Sequence, residues 1–306
     1  MSNLSLTILG SSAAVPANGR FPSSHYVVIH NRHFLIDCGE GAQMQLTRFN
    51  IPVHKINYIL ISHLHGDHYL GLIGLLFSMH LQKRQAELHL FGPPGLNEII
   101  LLQLKYSKSV LNYPLHFHAI DPAERKVIIE DDAITVETIP LIHKLPCAGF
   151  LLKEKPKPRR IDKSRLSKEV LLQHIVQLKA GKDVLNDAGE LLFRNDEYTL
   201  PPHRSLSYAY CSDTAYNESM IEQLRDVTLL YHEATFMEID IDKAIETKHS
   251  TARQAALIAR ACNAEQLVLG HFSARYRDLD LLLAEASVIF PTTSLAVEGE
   301  TININE

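Results

Sequence analysis

The chain has 306 residues, 46% of them hydrophobic and 21% charged, and carries a net charge of −5. That balance excludes global disorder and a uniformly basic chain, while the length suits one large domain or two ordinary ones. The four cysteines, Cys38, Cys147, Cys211 and Cys262, form no C-x-x-C pair, which excludes a thiolate metal knuckle and predicts reduced, buried thiols in a cytoplasmic protein.

No Lys or Arg precedes Arg20, so the charged start of a signal peptide is not expected. Short strands are predicted over residues 4–9, 26–29 and 34–36, separated by Gly, Pro, Ser and Asn, with a short helix at "DCGEGAQMQLTRF". Residues 56–62, "INYILIS", are almost continuously apolar, as in a strand buried on both faces. A helix over residues 69–82 follows. Its apolar run, residues 69–79, is too short to span a bilayer, so no membrane association is expected. A strand at "ELHLFG" and a helix at "GLNEIILLQLKYS" come next, and residues 115–152 read mostly as strand. The last third alternates. Strands at "SLSYAYCSD", "VTLLYHEAT" and "QLVLGHFS" are interleaved with helices at "ESMIEQLRD", "TARQAALIARACN" and "DLDLLLAEASVIF". Alternation at both ends, with strands between, predicts an α/β protein of two sheets faced by helices.

One segment breaks this pattern. Residues 153–168 hold eight basic side chains against Glu154 and Asp162, a net of +6, so the remainder of the chain carries −11. Leu166, Val170, Leu171, Ile175 and Leu178 then recur at helical spacing up to Gly181, and "KDVLNDAGELLFRND" suits a hairpin. The segment reads as an insertion with its own small structure.

The chemistry concentrates in "SHLHGDHYLGL", residues 62–72, where His63, His65, Asp67 and His68 fall within six positions after a buried strand. In extended chain, residues i and i+2 face the same way, so His63 and His65 point together. Gly66 allows a turn that sends Asp67 and His68 to a second point nearby. Imidazole and carboxylate suit divalent transition metals, zinc above all. Further donors stand at predicted strand ends: His143, Asp213 and His271. Together they point to a hydrolase with two metals about 3.5–4 Å apart acting on a phosphate. His30, His54, His80, His89, His116 and His118 lack this context and are read as structural.

At this point the residues resemble a family. H-x-H-x-D-H is the signature of the metallo-β-lactamase fold. The set "TILGSSAAVP", "LIDCGEGAQMQL", "SHLHGDHYLGLIGLL", "LFGPPGL", "YCSDT", "HEATF", "HST" and "HFSARY" resembles ribonuclease Z, the tRNA 3′ processing endoribonucleases, over about residues 7–296. The resemblance implies a four-layer αββα fold over residues 1–306, two zinc ions per subunit and a homodimer. It implies that His63, His65 and His143 hold one zinc, Asp67, His68 and His271 the other, and that Asp213 bridges them. Asp67 is then expected to orient or deprotonate a metal-bridging hydroxide or its parent water. His249, with Glu233 behind it, is expected to protonate the leaving 3′ oxygen. The products would be a tRNA 3′-hydroxyl and a trailer with a 5′-phosphate.

Residues 153–200 fall where the family carries a flexible arm that grips precursor tRNA, making Lys153, Lys155, Lys157, Arg159 and Arg160 candidate RNA contacts, with Arg275 beside the metals as another. Two departures accompany the resemblance. The segment has no Gly-Pro pair, and "VPANGRFPSS" stands where many relatives place Arg-Asn. A small-molecule phosphodiesterase or another hydrolase of the same fold is the alternative reading. A non-catalytic RNA-binding relative is a third, opposed by the presence of every expected ligand.

Overall fold

The computed structural model describes residues 4–305, which form two compact units: residues 4–153 with 207–305, and Glu154–Leu206. In chain order the elements are β1 (Leu4–Gly10), β2 (Ser24–Ile29), β3 (Arg32–Ile36), α1 (Ala42–Arg48), β4 (Tyr58–Leu60), α2 (Gly66–Tyr69), α3 (Leu72–Leu81), β5 (Leu88–Gly92), α4 (Leu96–Tyr106), β6 (Leu115–Ala119), β7 (Val127–Glu130), β8 (Ile134–Leu141) and β9 (Cys147–Glu154). The smaller unit contributes β10 (Arg160–Ile161), α5 (Leu172–Lys179), β11 (Val184–Leu185), β12 (Leu191–Phe193), α6 (Asn195–Tyr198) and β13 (Thr199–Leu200). The chain then continues with β14 (Ser207–Cys211), β15 (Leu229–Glu233), α7 (Ile241–Thr247), α8 (Ala252–Ala261), β16 (Gln266–Gly270), α9 (Asp280–Ser287), β17 (Thr293–Leu295) and β18 (Thr301–Ile304).

The larger unit is a pair of seven-stranded mixed sheets, ordered β18-β1-β2-β3-β4-β5-β6 and β17-β16-β15-β14-β9-β8-β7. Strands β3 to β6 run parallel, as do β14 to β17. On the first sheet Leu88 and Leu90 alternate toward a helix-side core. There they meet Leu46 of α1, Leu75 and Leu76 of α3 and Ile100 of α4. On the second sheet α8 covers β15 and β16 while α9 packs on β17. Helix α8 starts on a capping box, Thr251 accepting from Gln254 N and Gln254 answering at Thr251 N, an arrangement worth about 1 kcal/mol. The expected αββα layering is therefore the fold. All four cysteines are free and buried, as expected.

Three expected elements differ. The helix predicted over residues 69–82 is α3, which starts only at Leu72, while Tyr69 closes the separate short helix α2. A Cβ at Gly71 would lie 2.1 Å from the Gly39 carbonyl, and Gly71 N bonds Cys38 O instead of continuing the turn. The helix expected at "ESMIEQLRD" is one 3-10 turn, Glu218–Met220, followed by turns. Its apolar spacing is genuine, with Met220, Leu224 and Val227 buried. The Asp226 amide, however, is drawn to the end of α8 at Cys262 O. The strand expected over residues 56–62 pairs only from Tyr58 to Leu60, yet Ile59, Leu60 and Ile61 are fully buried, in keeping with two covered faces.

The smaller unit begins at Glu154 and ends at Leu206, six residues beyond the expected boundary at 200. It contains the expected hairpin, β11 with β12, and a core of Leu178, Val184 and Phe193. Its helix starts only at Leu172, so Leu166 and Leu171 lie outside it and are largely exposed. Three of its cations are tied down locally. Lys157 Nζ lies 2.8 Å from Glu154 Oε2, Arg159 Nε bonds Thr199 Oγ1, and Arg160 Nε bonds Pro201 O. No helix among the described residues is long and apolar enough to cross a membrane.

Candidate metal centre

The loop after β4 supplies the first donors. His65 is the extended N-cap of α2, which turns at Gly66 and carries Asp67 and His68 in its first turn. His63 Nε2 and His65 Nδ1 lie 3.0 Å apart, and His143 Nε2, from the loop after β8, is 3.1 Å from the same His65 atom. Asp213, just past β14, brings Oδ2 to 3.6 Å from both His63 Nε2 and His143 Nε2.

The other Asp213 oxygen faces a second group. Oδ1 lies 3.3 Å from His68 Nε2 and 3.1 Å from His271 Nε2, while Asp67 Oδ2 is 3.4 Å from each of those nitrogens. His271 follows β16 with φ 56°, in the left-handed region, which turns its ring into the group.

These spacings suit metal ions. Donors bound at 2.0–2.1 Å around a tetrahedral zinc lie about 3.3 Å apart, and the two groups show 3.0–3.6 Å. His68 Nε2 is buried and makes no hydrogen bond of its own, aimed among carboxylates. Burial and the neighbouring His68 keep the His63 ring neutral, with its pKa well below the ordinary value. Burial also opposes charge on Asp213, but the His271 and His68 rings outweigh it and hold that carboxyl well below the usual carboxylate range.

The rings are fixed from behind, as metal-binding histidines require. His68 Nδ1 lies 2.7 Å from Asp37 Oδ2, and the buried Asp37 carboxylate also accepts from Ser62 N, Ser62 Oγ and Tyr210 Oη. Asp37 itself sits at φ 55°. His143 Nδ1–H donates to Lys248 O at 3.0 Å, and His271 Nδ1 faces Thr235 Oγ1 at 3.0 Å. His63 Nδ1 meets Ser62 Oγ and Cys147 Sγ. Tyr210 and Asp37 join the two sheets directly beneath the donors.

Beside the donors stands an acid–base pair. His249 Nδ1 is 2.8 Å from Glu233 Oε1, and the fully buried Glu233 also accepts from Thr214 N, Thr235 N and Thr235 Oγ1. Burial works against charge on His249, yet Glu233 overrides it and pushes the ring's pKa up to about 9. His249 follows the left-handed Lys248 that ends α7. The His143 and His271 rings flank it at centroid distances of 5.0 and 5.4 Å.

His65, Asp67, His143, Asp213, His249 and His271 open on one cleft of about 600 Å³, lined also by Ala13, Val15, Leu70, Phe236 and Lys144. The donor atoms thus come together from seven of the seven expected ligands, and Glu233 and His249 join them. Arg275 lies over the Phe236 ring and pairs with Asp240 Oδ1 at 3.1 Å, so much of its charge is already engaged. The histidines read as structural belong to none of the donor groups. Asp37, Thr235 and Lys248 are contributors that the sequence reading passed over. Only Asp37 carries a local signal, a carboxylate closing the apolar strand in "LIDCGEG".

Comparison with known proteins agrees with this architecture. The family model described as "Anti-Pycsar protein Apyc1" matches residues 4–157. Ribonuclease Z of Cytophaga hutchinsonii is 46% identical over 301 residues, covering 98% of this chain and 96% of its own. Ribonuclease Z of Bacteroides fragilis strain YCH46 is 44% identical over 305 residues, covering 99% and 100%. Among solved structures, the short form of human tRNase Z matches with a TM-score of 0.70 and 25% identity, covering 99% of this chain and all of its own. The metallo-β-lactamase fold protein YhfI of Bacillus subtilis matches in fold, with a TM-score of 0.68 and 19% identity over 99% of each chain.

Proposed function

The chain belongs to the ribonuclease Z family and, through residues 4–157, to the family of the anti-Pycsar protein Apyc1; from that premise we propose that it is a zinc-dependent endoribonuclease that removes the 3′ trailer of precursor tRNA. It is a hydrolytic nuclease with the metallo-β-lactamase fold. The observation that carries the mechanism is the sharing of Asp213 between two donor groups beside the Glu233–His249 pair.

The donors would hold two zinc ions per chain, His63, His65 and His143 one and Asp67, His68 and His271 the other, and one oxygen of Asp213 lies beside each group. Bound there, the ions would activate water and offset charge developing on the phosphodiester. Asp67 is half-buried at the cleft, and its Oδ2 is held by the Ala14 amide at 2.8 Å, which fixes the carboxylate that orients the attacking water. His249 holds a proton at Nδ1 for Glu233, which leaves Nε2 to deliver the other to the departing oxygen. The water oxygen gives a proton to Asp67 as it joins phosphorus, the bond to the ribose 3′ oxygen breaks, and that oxygen takes its proton from His249. The ends left are a 3′-hydroxyl on the tRNA and a 5′-phosphate on the trailer.

The 154–206 insertion supplies RNA attraction in this reading, since its first residues are the basic run on an otherwise net-acidic chain. Lys155 leads that run within the insertion, two positions after Lys153 at the end of the larger unit's first segment. Self-association into a homodimer is part of the same proposal, supported by the family and by the exposed Leu101, Leu102, Tyr106 and Val110 on and just after α4. A cytoplasmic location fits a tRNA-processing role. The test is end analysis of a precursor tRNA cut by the zinc-loaded protein. A 3′-hydroxyl tRNA and a 5′-phosphate trailer are expected. Cleavage that leaves a 2′,3′-cyclic phosphate, or turnover of small esters without any cut in the precursor, would overturn the assignment.

A further inference from the structure

Thr235 has no role in the mechanism above, yet its hydroxyl reaches a metal-site ring and both members of the acid–base pair. Its Oγ1 lies 2.6 Å from Glu233 Oε2, 3.0 Å from His271 Nδ1 and 3.3 Å from His249 Nδ1. A hydroxyl has one proton to give and two lone pairs to offer. Ionised Glu233 can only accept, so the short 2.6 Å contact takes the Thr235 proton. The lone pairs then face the two imidazoles. His271 must place its proton on Nδ1 to use one, which leaves Nε2 bare toward Asp67 Oδ2 and Asp213 Oδ1. His249 is likewise held with its proton on Nδ1, shared between Glu233 Oε1 and the hydroxyl.

We propose that the Thr235 hydroxyl is a positioning group that sets the tautomers of His271 and His249 together, tying metal affinity to proton delivery. The proposal rests on reading His271 as a metal ligand and His249 as the acid. Thr235 N holds Glu233 Oε2 independently at 3.0 Å, so a side-chain change leaves the backbone anchor in place. Thr235→Val keeps the shape of the side chain and removes the hydroxyl, whereas Thr235→Ser keeps the hydroxyl and removes the methyl group.

The experiment measures zinc affinity of the full chain against a chromophoric chelator, alongside the ratio of turnover on a poor-leaving-group phosphodiester and on bis-nitrophenyl phosphate. Loss of a partner behind a metal-binding histidine costs about 10–100-fold in affinity. Thr235→Val is expected to lose that much, and to slow the poor leaving group more than the nitrophenyl ester. Thr235→Ser is expected to restore both. Wild-type affinity and an unchanged leaving-group ratio in Thr235→Val would overturn the proposal. So would defects that serine fails to restore, since they would trace to packing of the methyl group. A wild-type chain that binds no zinc in the same titration would overturn the metal reading itself, and the Thr235 proposal with it.

Discussion

Around Asp213 four of the five donor rings are held from behind: His68 by Asp37, His271 by Thr235, His143 by Lys248 O and His63 by Ser62. The 154–206 insertion has the reverse character. Its interior is Leu178, Val184 and Phe193, its strands are two or three residues long, and Leu172, Val176 and Leu191 remain exposed. Chemistry at a phosphodiester needs atoms fixed to a fraction of an ångström, and buried hydrogen bonds from several elements provide this. Attraction to a polyanion needs charge more than fixed geometry, since counterion release depends on how many phosphates are neutralised. The two regions differ because their tasks differ.

Substitutions sharpen that contrast. The largest effect is expected at Asp67, where Asp67→Ala removes both a donor and the carboxylate facing the attacking water. A loss of at least about a thousandfold on RNA and small ester alike is expected, with an unchanged circular dichroism spectrum. Near-normal turnover in a folded, zinc-loaded variant would break the assignment. His249→Ala comes next. It leaves the donor groups intact, so zinc content should hold, while precursor cleavage falls about a hundredfold and hydrolysis of an activated nitrophenyl ester falls much less. Equal losses on both substrates would remove the proton-delivery role.

Replacing residues 154–206 with a short Gly-Ser linker tests the other side. Hydrolysis of bis-nitrophenyl phosphate should persist, while KM for precursor tRNA rises about tenfold or more and its salt dependence flattens. An unchanged KM at physiological salt would mean the RNA is held elsewhere. Loss of the small-ester activity would mean the insertion shapes the cleft, and the contrast between the two regions would fail.

The donor loop was legible because its information is local: three histidines and an aspartate in six residues after an apolar strand. His143, Asp213 and His271 were legible because each stands just past a strand whose pattern is clear. The Thr251–Gln254 capping box was equally local. Thr235 and Lys248 were not legible. Thr235 acts through His271, thirty-six positions away, and Lys248 through a carbonyl that meets His143, one hundred and five positions away. Asp37 reaches Tyr210 across one hundred and seventy-three positions. The break at Gly71 was hidden for a related reason, since the apolar spacing of residues 69–82 continues smoothly while the Gly39 carbonyl sits where a side chain would go. In the insertion, apolar periodicity overstated the helix because residues such as Leu166 and Leu171 are not buried by anything that would reward it.

The account turns on one carboxylate joining two donor groups. The direct measurement is a zinc titration of the metal-free full chain, with bound zinc counted per chain and trailer release followed at each addition. Two equivalents should bind, and cleavage of precursor tRNA should reach its full rate only as the second is taken up. Asp213→Ala should fail to hold two equivalents and should not recover that rate at any zinc level used. Full cleavage by the metal-free chain, or by a wild-type chain that saturates at one equivalent, would contradict the claim.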